Sequence, residues 1–428
     1  MGALEKEVGT GLLRSLFGRG RGNPTKQGQT LAVSATPPAS PFPEVARPTF
    51  ARRPITIIAG LVLAMMVIGS CGDSSEPIDG ASETSVSGPL TAVCPSPLVI
   101  QTDWFPESEH GALYELMGGD YVVDADQKRV SGSMVSQGTD LGIDWEVRTG
   151  GPAIGFAPVA SIVYSDDSIH LAYADTDLQI LSHADVPLLS VAAPLEINPQ
   201  VVLWDPERYP EVETVADLGD QGIEIVVDDT TGFSRVFTAL GVWDSAQLDP
   251  SYDGSPTRLI ATDGEVAVQA FASAEPFDWA RIPEWDKPLS FDLLHNGGFE
   301  IYSQTIAIRP DDQETLSPCL EAVVPVIQQA VVDFISAPYR ANAIIIDAVE
   351  TFADFWTYDQ ALADYSVATQ TDLGLVGNGP DDTVGNLDDD RVQGVIDLLR
   401  QADMDVPADL SADELFTNEY IDPDIGFR

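Results

Sequence analysis

The sequence predicts an α/β fold with mainly parallel sheets, and three observations carry that expectation. Short apolar runs recur from residue 97 onward, segments of helical length separate them, and two late stretches space their apolar residues as a helix does. Strands that alternate with helices are covered on both faces, so they read as continuous apolar runs. The 428 residues, 44% hydrophobic and 8% aromatic, suffice for two or three domain-sized units and do not have the composition of a disordered chain.

The strands are expected at 98–100, 143–147, 169–173, 188–192, 200–204, 223–227, 266–271 and 303–308. Between 320 and 335, Leu320, Val323, Val324, Ile327, Val331, Phe334 and Ile335 fall on one helical face. A second helix is expected over 391–404, with Val392, Val395, Ile396 and Leu399 on one side and Asp388 to Asp390 where acids favour a helix N-terminus. The stretch NGPDDTVGNLDDD (378–390) lacks EF-hand spacing and its terminal glutamate. It reads as an acidic turn capping that helix.

The formal charge is −47 and is unevenly spread. Eight of the 21 Lys and Arg residues precede residue 54, against three of the 68 Asp and Glu residues. A basic N-terminal stretch therefore leads into a strongly anionic body. Such a body repels phosphate backbones, so no nucleic-acid partner is expected. There are three cysteines, Cys71, Cys94 and Cys319, with no CxxC pair and only four histidines. No structural metal and no cofactor are expected.

Residues 55–70, ITIIAGLVLAMMVIGS, are uncharged, follow Arg52-Arg53-Pro54 and end at Cys71. Sixteen residues are short for a bilayer span, and the basic flank and small residues before the cysteine fit an export signal. Ile68-Gly69-Ser70-Cys71 resembles the bacterial lipobox, whose cysteine is lipidated after cleavage. The expected organisation is a disordered basic tail or early-called start at 1–53, a lipoprotein signal at 54–71 and a flexible linker at 72–94. The mature chain would sit outside the cell membrane, held by lipid on Cys71. The remaining Cys94 and Cys319 are expected to pair in that oxidising compartment.

Beyond residue 97, several segments carry a family likeness. They are Thr102-Asp103-Trp104-Phe105-Pro106 with Glu109-His110-Gly111-Ala112-Leu113-Tyr114, Val147-Arg148-Thr149-Gly150-Gly151-Pro152, Ala172-Tyr173-Ala174-Asp175-Thr176-Asp177, Val215-Ala216-Asp217-Leu218-Gly219 and Phe416-Thr417-Asn418-Glu419-Tyr420-Ile421. In order and spacing they resemble the periplasmic-binding-protein-like family, which includes the nitrate, sulfonate, taurine and thiamine-pyrimidine-precursor binders of ABC transporters. The resemblance implies two α/β lobes with ligand in the cleft: lobe 1 from 95–195 plus 301–428, lobe 2 from 196–300. It implies an ABC permease and ATPase as partners. Residues 118–140, rich in Gly and Asp, depart from it, because the family has helix there.

Ligands of open α/β sheets lie beyond the carboxyl ends of the strands. That rule selects Asp103, Trp104, Gly150, Gly151, Asp175, Asp177, Trp204, Thr231, Phe233, Glu275 and Phe277 as ligand-binding candidates. His110 is added as a hydrogen-bond partner or switch facing the cleft; the alternative is a helix-surface position. Aromatic rings stack on flat ligands and carboxylates accept from amino groups, so the set favours a small polar, amine-bearing ligand such as an aminopyrimidine. There is no G-x-S-x-G, H-E-x-x-H or Walker loop, and no enzyme is expected. The alternatives are an envelope sensor or adhesion lipoprotein on the same fold, and a pyrimidine-synthesising enzyme.

Overall fold

A computed structural model describes residues 89–228 and 232–428. The basic tail, the signal segment with Cys71, most of the linker, and Thr231 lie outside the described residues.

The larger sheet contains seven strands in the order β2-β3-β4-β1-β5-β12-β6. They are β1 (Leu98–Gln101), β2 (Val122–Asp124), β3 (Arg129–Ser136), β4 (Thr139–Arg148), β5 (Leu171–Ala174), β6 (Leu189–Ala192) and β12 (Thr305–Ile308). The smaller sheet runs β11-β7-β10-β8-β9. Its strands are β7 (Gln200–Trp204), β8 (Ile225–Val226), β9 (Leu248–Asp249), β10 (Ala267–Phe271) and β11 (Ser290–Leu293). Every expected strand appears in one of the two sheets, and the class is two-lobed α/β.

Parallel pairing covers the centre of the larger sheet and one side of the smaller, which corrects the expectation of mainly parallel sheets. β4-β1-β5 and β10-β8-β9 are parallel, and the remaining pairs are antiparallel. Two features of the chain path account for this. It passes from β6 to β7 and returns from β11 to β12, so the arriving strands run against their new neighbours. The Gly- and Asp-rich stretch forms the meander β2-β3-β4 where the resemblance implied helix. Gln137 (φ 47°) and Gly138 (φ 75°) join β3 to β4 as a two-residue turn with both φ positive, the form whose twist suits a hairpin.

The helices are α1 (Gly111–Glu115), α2 (Val159–Ser165), α3 (Thr176–Ser182), α4 (Val215–Asp220), α5 (Gly232–Ala239), α6 (Thr257–Ala261), α7 (Glu275–Ala280), α8 (Gln313–Ser336), α9 (Tyr339–Phe352), α10 (Gln360–Asp372) and α11 (Asp389–Gln401). The long α8 buries the expected stripe, including Leu320, Val323, Val324, Ile327, Val331 and Phe334, against the larger sheet and α1. Each fully buried side chain of this kind contributes about 1.5–3 kcal/mol. Gly111 permits the close approach, because a Cβ there would fall 2.2 Å from the Phe334 ring. A Cys94–Cys319 disulfide ties the segment before β1 to α8.

Asp388 caps α11 by accepting from the Arg391 amide at 2.8 Å, as the acidic run suggests. Residues Val392, Val395, Ile396 and Leu399 of α11 join the core that holds α4 and α5. This helix lies in the segment that the sequence reading gave to lobe 1, and it touches both α3 and α5.

Candidate functional site

The carboxyl ends of β1, β4 and β5 converge with the turn after β10 and the residues before β12. The Gln101 side chain stitches the first two together, donating to the carbonyls of Thr102 and Thr149 at 3.0 Å each. Gly150 then donates to the Trp104 carbonyl at 3.0 Å. A Cβ on Gly150 would lie 2.2 Å from the Thr102 carbonyl oxygen, and one on Gly151 (φ 56°) 2.5 Å from the Trp104 ring. Both glycines are therefore supports for the 102–110 loop. Trp104 rests against Phe105, Phe156 and Trp356, with ring centroids 6.0–6.2 Å apart. Its far rim reaches the second lobe, 3.6 Å from where a Cβ on Gly254 would stand.

Below this aromatic group lie six carboxylates. Asp103, Glu107 and Glu109 come from the 102–110 loop, Asp175 and Asp177 from the β5–α3 junction, and Glu275 from the first residue of α7. Four of them are buried, and Asp103 and Asp175 are half-buried. Among the described residues no lysine or arginine pairs with any of them; His110 alone does. Its ring is fully buried, with Nε2 2.9 Å from Asp103 Oδ1 and 3.6 Å from Glu107 Oε1, and it meets Tyr173 edge-on at 5.2 Å. This places His110 in the interior and not on the helix surface.

Gln304 bridges the acids. Its Nε2 donates to Asp103 Oδ2 at 3.0 Å and its backbone amide to Asp175 Oδ1 at 2.8 Å. Ser303 donates its hydroxyl to the same Asp175 oxygen at 2.8 Å. Two contacts cross between lobes. The Ser273 hydroxyl donates to Glu109, and the Gly232 amide at the start of α5 donates to Asp177.

Removal from water raises Glu107, Glu109, Asp175, Asp177 and Glu275, because burial penalises the charged form. Glu107 rises well above the usual carboxylate range through burial first and then through Glu109, Asp103 and Glu275. Glu275 is pushed up to about 7 and Asp177 to about 6, both chiefly by burial. Asp175 rises to about 7 through loss of solvent, with Asp177 and Asp103 adding repulsion. Several buried polar atoms here make no hydrogen bond among the described residues, among them Tyr173 OH, Gln304 Oε1, Asp177 Oδ1 and His110 Nδ1. An unmade buried hydrogen bond costs about 1–3 kcal/mol, so such groups call for an explanation. The arrangement can accept hydrogen bonds from, and neutralise, positive charge.

Not all the expected residues meet here. Trp204 is in the core beneath the smaller sheet. Phe233 is in the same core, against Trp243 and Phe299. Both stand near strand ends, but their side chains turn inward where apolar burial outweighs exposure in a cleft. Phe277 stacks on Tyr365 of α10, which removes it from the acidic group. The sequence reading missed Glu107, Glu109, Tyr173 and Gln304 as site residues. It also missed Tyr252 of the second lobe, whose hydroxyl is raised by burial and then by Glu275. Glu109 was legible as an acid on a strand-end loop. Gln304, at φ 54° before β12, carried no such signal.

Comparison with solved structures fits this architecture. A protein of Bordetella bronchiseptica RB50 superposes with TM-score 0.51 at 14% identity, over 76% of this chain and 96% of its own. This chain shares the fold of that protein. The periplasmic aliphatic sulphonate binding protein SsuA of Escherichia coli gives TM-score 0.48 at 13% identity, over 75% of this chain and 92% of its own. A ligand-binding component of an ABC-type import system from Staphylococcus aureus, determined with zinc bound, gives 0.48 at 11%, over 76% and 97%. No protein-family model and no curated protein matches the sequence. Identities this low speak to fold, and one fold hosts many functions.

Proposed function

We propose that this chain is the extracytoplasmic solute-binding component of an ABC importer, that it holds a small polar, amine-bearing ligand between its lobes, and that it is not an enzyme. The observation that carries the reading is the gathering of carboxylates from both lobes, with Asp103 and Glu107 on the His110 imidazole and Glu275 of the second lobe acting on Glu107. Nitrate and sulfonate sites want cationic or dense N–H donors, and the acids here oppose them. A charge-assisted hydrogen bond to a carboxylate contributes roughly 1.5–3 kcal/mol, enough to select amines over neutral isosteres. Trp104, at the rim between the lobes, offers a face on which a flat ring such as an aminopyrimidine would stack. Lipid on Cys71 would hold the protein at the outer face of the membrane, beside its permease and ATPase.

A thermal-shift screen of aminopyrimidines, aliphatic amines, sulfonates and nitrate tests the ligand class. Amine-bearing compounds should raise the melting temperature. Stabilisation by the anions alone would overturn the reading of the cleft.

A further inference from the structure

The six carboxylates form two groups. Asp103, Glu107 and Glu109 surround His110, and Glu275 of the second lobe acts on Glu107. Asp175 and Asp177 stand at the start of α3, with Gly232 of the second lobe closing on Asp177. Gln304 lies between the groups, holding Asp103 with its side chain and Asp175 with its backbone amide.

We infer that the ligand of this cleft is an organic polycation with at least two ammonium or amidinium groups, one for each carboxylate group. The inference rests on the reading of the cleft as a ligand site. A carboxylate withdrawn from water must be neutralised by a proton or by a nearby cation. One imidazole serves the first group, and no basic side chain among the described residues serves the second. A monoammonium ligand would balance one group and leave the other as costly as before. A second cationic centre replaces a proton in the second group as well.

The unpartnered atoms fit the same occupant. An ammonium group has three donors and seeks acceptors besides its carboxylate. Tyr173 OH beside the first group, Asp177 Oδ1 in the second and Gln304 Oε1 between them are buried acceptors without a partner. Tyr173 and Gln304 are each only 1% exposed. Among the described residues, no three His, Cys, Asp or Glu side chains stand where they could hold a metal ion, which points to an organic cation.

The test is calorimetric titration of the full chain with the diamines from propane- to hexane-diamine, each against its monoamine, with butanesulfonate as the anionic probe. The best diamine should bind at least about tenfold more tightly than its monoamine, a difference near 1.4 kcal/mol. Asp177→Asn, which keeps the side-chain shape, should bring that diamine to the level of its monoamine while the monoamine is little changed. Equal affinity of diamine and monoamine for the wild-type chain overturns the polycation inference and leaves the amine reading standing. Binding of butanesulfonate alone, or of no amine, overturns both.

Discussion

The ring of Phe277, on α7, lies flat against that of Tyr365, on α10, with centroids 4.8 Å apart and 14° between planes. Around this stack the Tyr365 hydroxyl donates to the Ala272 carbonyl at 3.0 Å, Ser366 donates to the Ser273 carbonyl at 2.6 Å, and Arg281 meets Asp359 at 2.9 Å. Helix α10 thus clasps the turn whose Ser273 touches Glu109. Phe277→Ala should lower unfolding free energy by roughly 1–3 kcal/mol, since a half-buried stacked ring loses less than a fully buried one. Denaturant titration measures this. Ligand affinity that falls while stability stays unchanged would instead put Phe277 in the site.

Trp104 is the aromatic that remains at the cleft rim. Trp104→Ala should weaken binding of a confirmed ligand by at least about tenfold, the equivalent of 1.4 kcal/mol, through lost stacking and burial. Calorimetry on the variant would expose a misplaced cleft if affinity were fully kept.

Glu275 and Asp175 couple the cleft to pH. Their native values near 7 exceed those of an unfolded chain, so the native state holds protons that the unfolded state releases near pH 4. Their contribution to stability is therefore greatest below about pH 4 and is lost as pH rises toward 7. Glu275→Gln should make the ligand-free protein's loss of melting temperature over that window shallower. The same variant should weaken amine ligands by roughly tenfold or more and spare anionic ones. A pH slope identical to the wild type would show that Glu275 is not a buried acid of the native state.

The Cys94–Cys319 bridge closes a loop with a sequence separation of 225. By the chain-entropy relation such a loop is worth about 5 kcal/mol. Reduction or Cys319→Ala should lower stability by an amount of that order. Thiol titration of the denatured, unreduced protein carrying Cys71→Ser should find no free thiol, and two would contradict the bond.

Cys71 itself tests the anchor. Cys71→Ser expressed in a bacterial host should lose lipid labelling and accumulate as the longer precursor. Labelling at the wild-type level would refute lipidation at this residue.

The sequence by itself determined the elements that depend on neighbours along the chain. The apolar runs at 98–100 and 200–204, the stripe from Leu320 to Phe334 and the capping acids before α11 all lie where local periodicity and chemistry put them. It also put forward Asp103, Asp175, Asp177 and Glu275 as candidates, because acids on strand-end loops are visible in order. The tertiary structure alone decided that β7 and β12 run against their neighbours, since their direction is set by two crossings between sheets that leave no local trace. It also decided which side chains turn inward. Trp204 and Phe233 end in a core for want of any sequence signal that tells one face of an element from the other. Glu109 and Ser273, 164 residues apart, meet across the two lobes. Contacts at that separation depend on the packing of whole sheets, and no window along the chain contains both partners.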